Sequence, residues 1–152
     1  MLTDMKKFIL AGKAIFTISS PKDGGKHFTY KVSLPKDHPS SAVLDFAFVS
    51  VLTGPDNTSN YTYMGMLDTR DAKWRPGETF KPSRGTKVGP DALSWKVFEF
   101  FMRWFVWGDQ KLPPGYDIKH MGRCGRCGRV LTHPESIDSG IGPECRKHVF
   151  GA

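Results

Sequence analysis

The sequence is poor in cysteine, with three among 152 residues (Cys124, Cys127 and Cys145). An odd count argues against a disulfide scaffold, the more so because no secretory leader is evident. Residues 1–8 carry Asp4, Lys6 and Lys7 but no apolar segment ending in a small-residue cleavage site. A membrane-spanning run is also lacking. The longest apolar stretch, residues 97–107, is broken by Glu99 and Arg103 and falls well short of the ~20 residues a spanning helix needs. The expectation is a soluble, cytoplasmic protein.

Recognisable catalytic motifs are missing as well. There is no H-E-x-x-H, G-x-S-x-G, Walker phosphate loop or G-x-G-x-x-G. Gly85, Lys87 and Gly89 lack the strand–turn–helix spacing of a phosphate loop. Asp68 and Asp71 are the closest acidic pair in a strand-end loop and read as solvated side chains. His27 and His38 have no evident nucleophile nearby. The chain is therefore expected not to be an enzyme.

What the sequence does contain is a packable core and a positive charge. Hydrophobic residues make up 39% and aromatics 12%, too many for a wholly disordered chain. Residues 8–19 alternate, with Phe8, Leu10, Ala14, Phe16 and Ile18 on one side. Residues 27–34 alternate cleanly through Phe28, Tyr30, Val32 and Leu34. With the turn residues 21–26 between them, the two predict a hairpin. Residues 44–53, apolar on both sides, predict a central strand, and residues 61–67 a fourth. Residues 68–88 read as mostly loop, with a short strand near 79–81. Gly89-Pro90-Asp91 predicts a helix start, and Gly108 its end. Its apolar stripe is Leu93, Val97, Phe101 and Trp104. The expected fold is α+β: a four-stranded antiparallel meander covered by one apolar helix over residues 1–110. A linker at 111–118 and a small zinc-ribbon or treble-clef-like module at 119–152 follow.

The net charge of +7 is spread unevenly, and +3 of it falls in residues 119–152. Residues 119–152 hold six basic and three acidic side chains, and every cysteine. Cys124 and Cys127 form a C-x-x-C knuckle among Gly122, Gly125 and Gly128. Cys145 and His148 form a C-x-x-H pair, and residues three apart on a helix share a face. This is the ligand pattern of a structural zinc site. Three thiolates and an imidazole favour zinc over harder cations. His148 is the fourth ligand by spacing, with His133 and His120 as alternatives. So short a segment can bury little apolar surface, so the metal would supply much of its folding free energy.

Residues 124–145 (CGRCGRVLTHPESIDSGIGPEC) resemble the C-terminal zinc-ribbon motif of small phage and prophage proteins in a family of unknown function. The shared marks are C-G-R-C-G-R-x-L, P-x-S-I and G-I-G-P-x-C. The resemblance implies one structural zinc held by the three cysteines, and a phage or mobile-element origin. It implies no activity and leaves the fourth ligand open.

Arg123, Arg126 and Arg129 recur every third residue around the knuckle, and Arg146 and Lys147 follow Cys145. Within residues 70–87, Lys73, Arg75, Lys81, Arg84 and Lys87 are interleaved with Trp74 and Phe80. Cations beside aromatics suit nucleic acid, DNA or RNA, where phosphates pair and bases stack. Tyr61 and Tyr63 share one strand side, where such a pair can stack bases but more often packs beneath a helix. If the sheet's second face is uncovered, Trp107 or Tyr61 becomes a candidate contact. The competing expectation is a phage effector that binds a host protein complex, with the zinc purely structural.

Overall fold

The structure, a computed structural model, describes residues 5–21, 26–34, 46–55 and 59–120. The chain begins with a short helix, α1 (Met5–Ile9), followed by β1 (Lys13–Ser19) and β2 (His27–Ser33). Next come β3 (Phe46–Leu52), β4 (Tyr61–Asp68) and a two-residue β5 (Phe80–Lys81). The helix α2 (Leu93–Phe101) continues into a π-helical turn (Met102–Trp107), and β6 (Asp117–His120) ends the described chain.

All six strands form one antiparallel sheet, ordered β5-β4-β3-β2-β1-β6. The fold is thus α+β, with the expected meander and the expected single apolar helix. Among the described residues it has six strands rather than four. The fifth strand is the short one foreseen near residue 80. The sixth came without local warning: Ile18 pairs with Ile118 and Phe16 with His120, across about a hundred residues. Strand β6 draws on residues read as linker (117–118) and as the start of the module (119–120).

Two other expectations shift. Residues 8 and 9 are not in the first strand. Phe8 and Ile9 lie in α1, fully buried, and Gly12, at φ 135°, turns the chain into β1. The helix also starts later than Gly89-Pro90-Asp91. Those residues form a turn closed by Ala92 N–H donating to the Gly89 carbonyl at 3.0 Å, and α2 has no acidic residue in its first turn. The helix ends at Gly108 as expected.

Alternation sorts the sheet into two faces. Ala14, Phe16, Ile18, Tyr30, Val32, Ala47, Val49, Val51 and Leu67 are buried on one of them. Helix α2 packs there. The Phe98 ring lies 5.0 Å from both Tyr30 and Phe80, and Trp95 stacks on Phe80 at 4.1 Å. The Tyr30 hydroxyl donates to the Ser94 carbonyl at 2.7 Å, fixing the helix start over β2. Each such fully buried large side chain contributes roughly 1.5–3 kcal/mol, so this aromatic layer is a large part of what holds α2 to the sheet. In the π turn Met102 is buried, while Trp104 is exposed. No helix among the described residues is long and apolar enough to cross a membrane.

Candidate nucleic-acid interface

The segment after β4 is a bonded scaffold rather than a loose basic arm. Asp68 N–H donates to the Thr79 carbonyl at 2.7 Å. The fully buried Thr79 donates from its hydroxyl to Asp71 at 2.9 Å and accepts from Arg75 N–H at 2.8 Å. The Arg75 guanidinium is bound by Asp71 at 3.0 Å and reaches Glu78 at 3.5 Å. The hydrogen bonds to Asp71, with the charges of Asp71 and Glu78, hold its pKa above the ordinary value. Asp68 and Asp71, read from the sequence as solvated, are structural. Asp68 is buried and takes a two-pronged contact from Arg70 at 3.0 and 3.1 Å. The hydrogen bonding from Arg70 holds its carboxyl below the ordinary value against the opposing effect of burial.

This scaffold divides the basic residues of 70–87. Trp74 packs on the core and meets Trp107 edge-on at 5.4 Å, with its indole N–H buried. Trp107 in turn donates to the Asp71 carbonyl at 2.8 Å. The Trp74 ring is thereby engaged internally, and Arg75 is neutralised by its neighbours. Lys73 is exposed beside them.

Lys81, Arg84 and Lys87 are gathered differently. Lys81 is exposed on β5 opposite Met66. Arg84 and Gly85 form a turn in which Gly85 adopts φ 93°, a conformation favouring glycine. The turn is stitched to β4: Thr86 Oγ1 donates to the Met64 carbonyl at 2.8 Å, and Lys87 N–H donates to the Tyr63 carbonyl at 3.1 Å. The Tyr63 and Ser83 hydroxyls share a hydrogen bond of 2.6 Å. Exposed Arg84 and Lys87 are therefore held at fixed positions beside Tyr63.

The second face of the sheet continues from this edge. Phe46, Phe48, Tyr61 and Tyr63 lie on it, half-buried, and among the described residues no helix packs over it. Phe48 and Tyr63 meet edge-on at 6.1 Å. Arg70 caps Phe46 at 4.9 Å, and the Lys31 ammonium stands 5.5 Å from the Tyr61 ring centre. The cations Lys13, Lys31, Arg70, Lys81 and Lys119 stand on this side. The carboxylates there are Asp68 and Asp117, paired with Arg70 and Lys119. Burial raises the Tyr61 phenol above its ordinary value, so it stays a neutral O–H at physiological pH. Its oxygen has no hydrogen-bond partner among the described residues.

The sequence pointed to Tyr61 and Tyr63 but not to Lys31, Phe46 or Phe48. Residues 44–53 are apolar on both sides, so pattern alone does not set Phe46 and Phe48 apart from the core. Nor does it show which of the two faces the helix would cover.

The cysteine segment joins the sheet through β6. Residues 118–150 match a family of unknown function, DUF6011. The match begins inside β6 at Ile118, buried against the helix-covered face, and residues 1–117 lie outside it. Comparison with curated proteins and with solved structures gave no match. Cys124, Cys127, Cys145, His148 and His133 lie outside the described residues, as do Arg123, Arg126, Arg129, Arg146 and Lys147. Among the described residues no three His, Cys, Asp or Glu side chains cluster as metal ligands. His120, the remaining alternative ligand, sits in β6 with its ring 6.0 Å from Phe8.

Proposed function

We propose that the chain is a non-enzymatic, phage-type zinc protein that binds nucleic acid through a basic zinc knuckle and the basic edge of its sheet. The observation that carries this reading is the fixed placement of Arg84 and Lys87 beside Tyr63. A turn already bonded to β4 has little backbone freedom left to lose when its cations meet phosphates, so more of the electrostatic attraction is kept as affinity.

In this reading Cys124, Cys127 and Cys145, with His148, hold one zinc in a zinc-ribbon module. The donor set fits the metal: three thiolates and an imidazole make a closed, soft, tetrahedral shell. His120 is the weaker fourth donor, since its ring packs against Phe8. The zinc would be structural. Arg123, Arg126 and Arg129 then project from a fixed knuckle, with Arg146 and Lys147 beyond Cys145. Three thiolates and a divalent ion lower the net charge by one, so binding depends on where these cations stand rather than on bulk charge.

Metal analysis of the purified full chain should give one zinc per chain, lost in Cys124→Ser. Fluorescence anisotropy with labelled DNA and RNA should show affinity falling log-linearly with salt, by about 0.7–0.9 log units per phosphate contact for each decade of salt. Arg126→Glu with Arg129→Glu, and Arg84→Glu with Lys87→Glu, should each reduce affinity and flatten that slope. Salt-insensitive capture of one host protein, with no binding to any oligonucleotide, would replace this reading with that of a protein-directed effector.

A further inference from the structure

We infer that the second face of the sheet is a stacking platform for single-stranded nucleic acid, with Tyr61, Tyr63 and Phe48 as the rings and Lys31 and Lys81 as the phosphate contacts. The inference rests on the nucleic-acid reading above and adds to it the polymer form and the surface.

Three observations converge on this face. First, paired strands lie ~4.8 Å apart, so rings on neighbouring strands come within contact. Phe48 on β3 and Tyr63 on β4, diagonal to each other across the register shift between the two strands, meet edge to face with 6.1 Å between centres, and Tyr61 extends the row along β4. Second, the helix-covered face holds the apolar core, whereas these rings are half-buried and belong to no core cluster among the described residues. Third, the charge is complementary to a polyanion. Lys31 stands over Tyr61 at 5.5 Å, Lys81 is exposed opposite Met66, and the carboxylate of Asp68 is already bound by Arg70 at 3.0 Å.

The ring arrangement selects single strands over duplex. A duplex buries its base faces in its own stack, so a ring on a sheet has nothing to stack against. Unpaired bases present those faces, and lysines at the rim meet the phosphates between them. Phe46 is left out of the row because the Arg70 guanidinium that covers it at 4.9 Å is held there by Asp68 at 3.0 Å, whereas no carboxylate among the described residues pairs with the Lys31 ammonium over Tyr61 at 5.5 Å.

The test is anisotropy titration of the full-length, zinc-loaded chain with fluorescein-labelled oligouridylate and oligothymidylate of about twelve nucleotides, and with a duplex of similar length. Tyr61→Leu and Phe48→Leu should each weaken single-strand binding about 5- to 100-fold, the range of one lost base–aromatic stack. Tyr63→Leu, which removes the ring, should weaken it like the others. Circular-dichroism melting identifies any variant that fails to fold, and Lys31→Gln offers a surface variant expected to lower affinity without touching the rings. The inference is overturned if folded Tyr61→Leu and Phe48→Leu bind like the parent, or if duplex binds as tightly as single strand. It is also overturned if sedimentation shows a dimer that the same two changes dissolve, since a second copy then occupies the face. Loss of binding on reversing Arg126 and Arg129, with the ring variants unaffected, would sink this inference and leave the zinc-knuckle reading standing. No binding to any oligonucleotide would sink both.

Discussion

At the scale of single residues, Gly65 shows how one missing side chain sets a contact between strands. It lies in β4 opposite Val49. A Cβ built there would collide with the carbonyl oxygen of Lys81 and come within 3.1 Å of the Trp95 ring. A glycine inside a strand ordinarily weakens it, and replacing it with alanine should stabilise by about 0.4–1 kcal/mol through the unfolded chain alone. The clash outweighs that gain, because the obstructing atom is backbone and cannot rotate aside. Forced overpacking costs about 1–3 kcal/mol. Gly65→Ala is therefore expected to lower the urea midpoint, and a raised midpoint would show that β5 does not approach β4 this closely. Because Lys81 follows Phe80 on β5, the same change should displace a cation from the sheet's second face. Tyr30 makes the complementary point. Its ring is core, yet its hydroxyl finds the Ser94 carbonyl, so a buried polar atom also fixes where the helix begins.

At the scale of elements, what could be read from the chain depended on whether the signal was local. The first two strands announced themselves by alternation and the helix by its apolar stripe, because burial on one face imposes a period of two or 3.6. The third did so by an apolar run on both faces, as a central strand does. Helix α1 escaped because Phe8 and Ile9 continue an apolar pattern that a strand would also show. Strand β6 escaped because four residues, Asp117–His120, carry no period, and their partner β1 is remote in sequence. The basic segment after β4 was legible as charge but not as scaffold, since composition cannot reveal that Asp68 and Asp71 are already engaged. That scaffold has a pH signature. Asp68 titrates below its ordinary value of 3.8 because Arg70 hydrogen-bonds its charged form. The unfolded chain therefore takes up this proton more readily than the folded one does. The stabilisation is complete above the unfolded value and is lost as pH falls through the lower, folded one. Because Arg70 is half exposed (54%), solvent screening keeps the effect on the order of 1 kcal/mol. Stability measured from pH 6 down to about pH 3 should fall less steeply in Asp68→Asn than in the parent. Equal slopes would mean that the Arg70 contact does not discriminate between the two protonation states.

At the scale of the whole molecule, β6 belongs to two things at once. It is the edge strand beside β1, with Ile118 buried against the core, and it opens the family match at residue 118. Three residues separate His120 from Cys124, so zinc held as proposed at the knuckle would be linked to the pairing of β6 through a short tether. The central strands are insulated from that linkage, because β3 and β2 are flanked on both sides and share the α2 core. Removing zinc by chelation, or by Cys124→Ser, should then act unevenly. Local openings differ in free energy across one fold, and edge elements open first. Amide exchange at Lys119 and His120 should accelerate on metal removal. Amides of Val49 and Val51 should keep their protection, and the far-ultraviolet spectrum of the sheet should persist. Uniform loss of protection throughout the sheet would mean that the metal site is part of the main folding unit. Exchange in β6 unchanged by chelation would mean that the cysteine segment folds without reference to the sheet, and that zinc and the aromatic face act as separate modules on one chain.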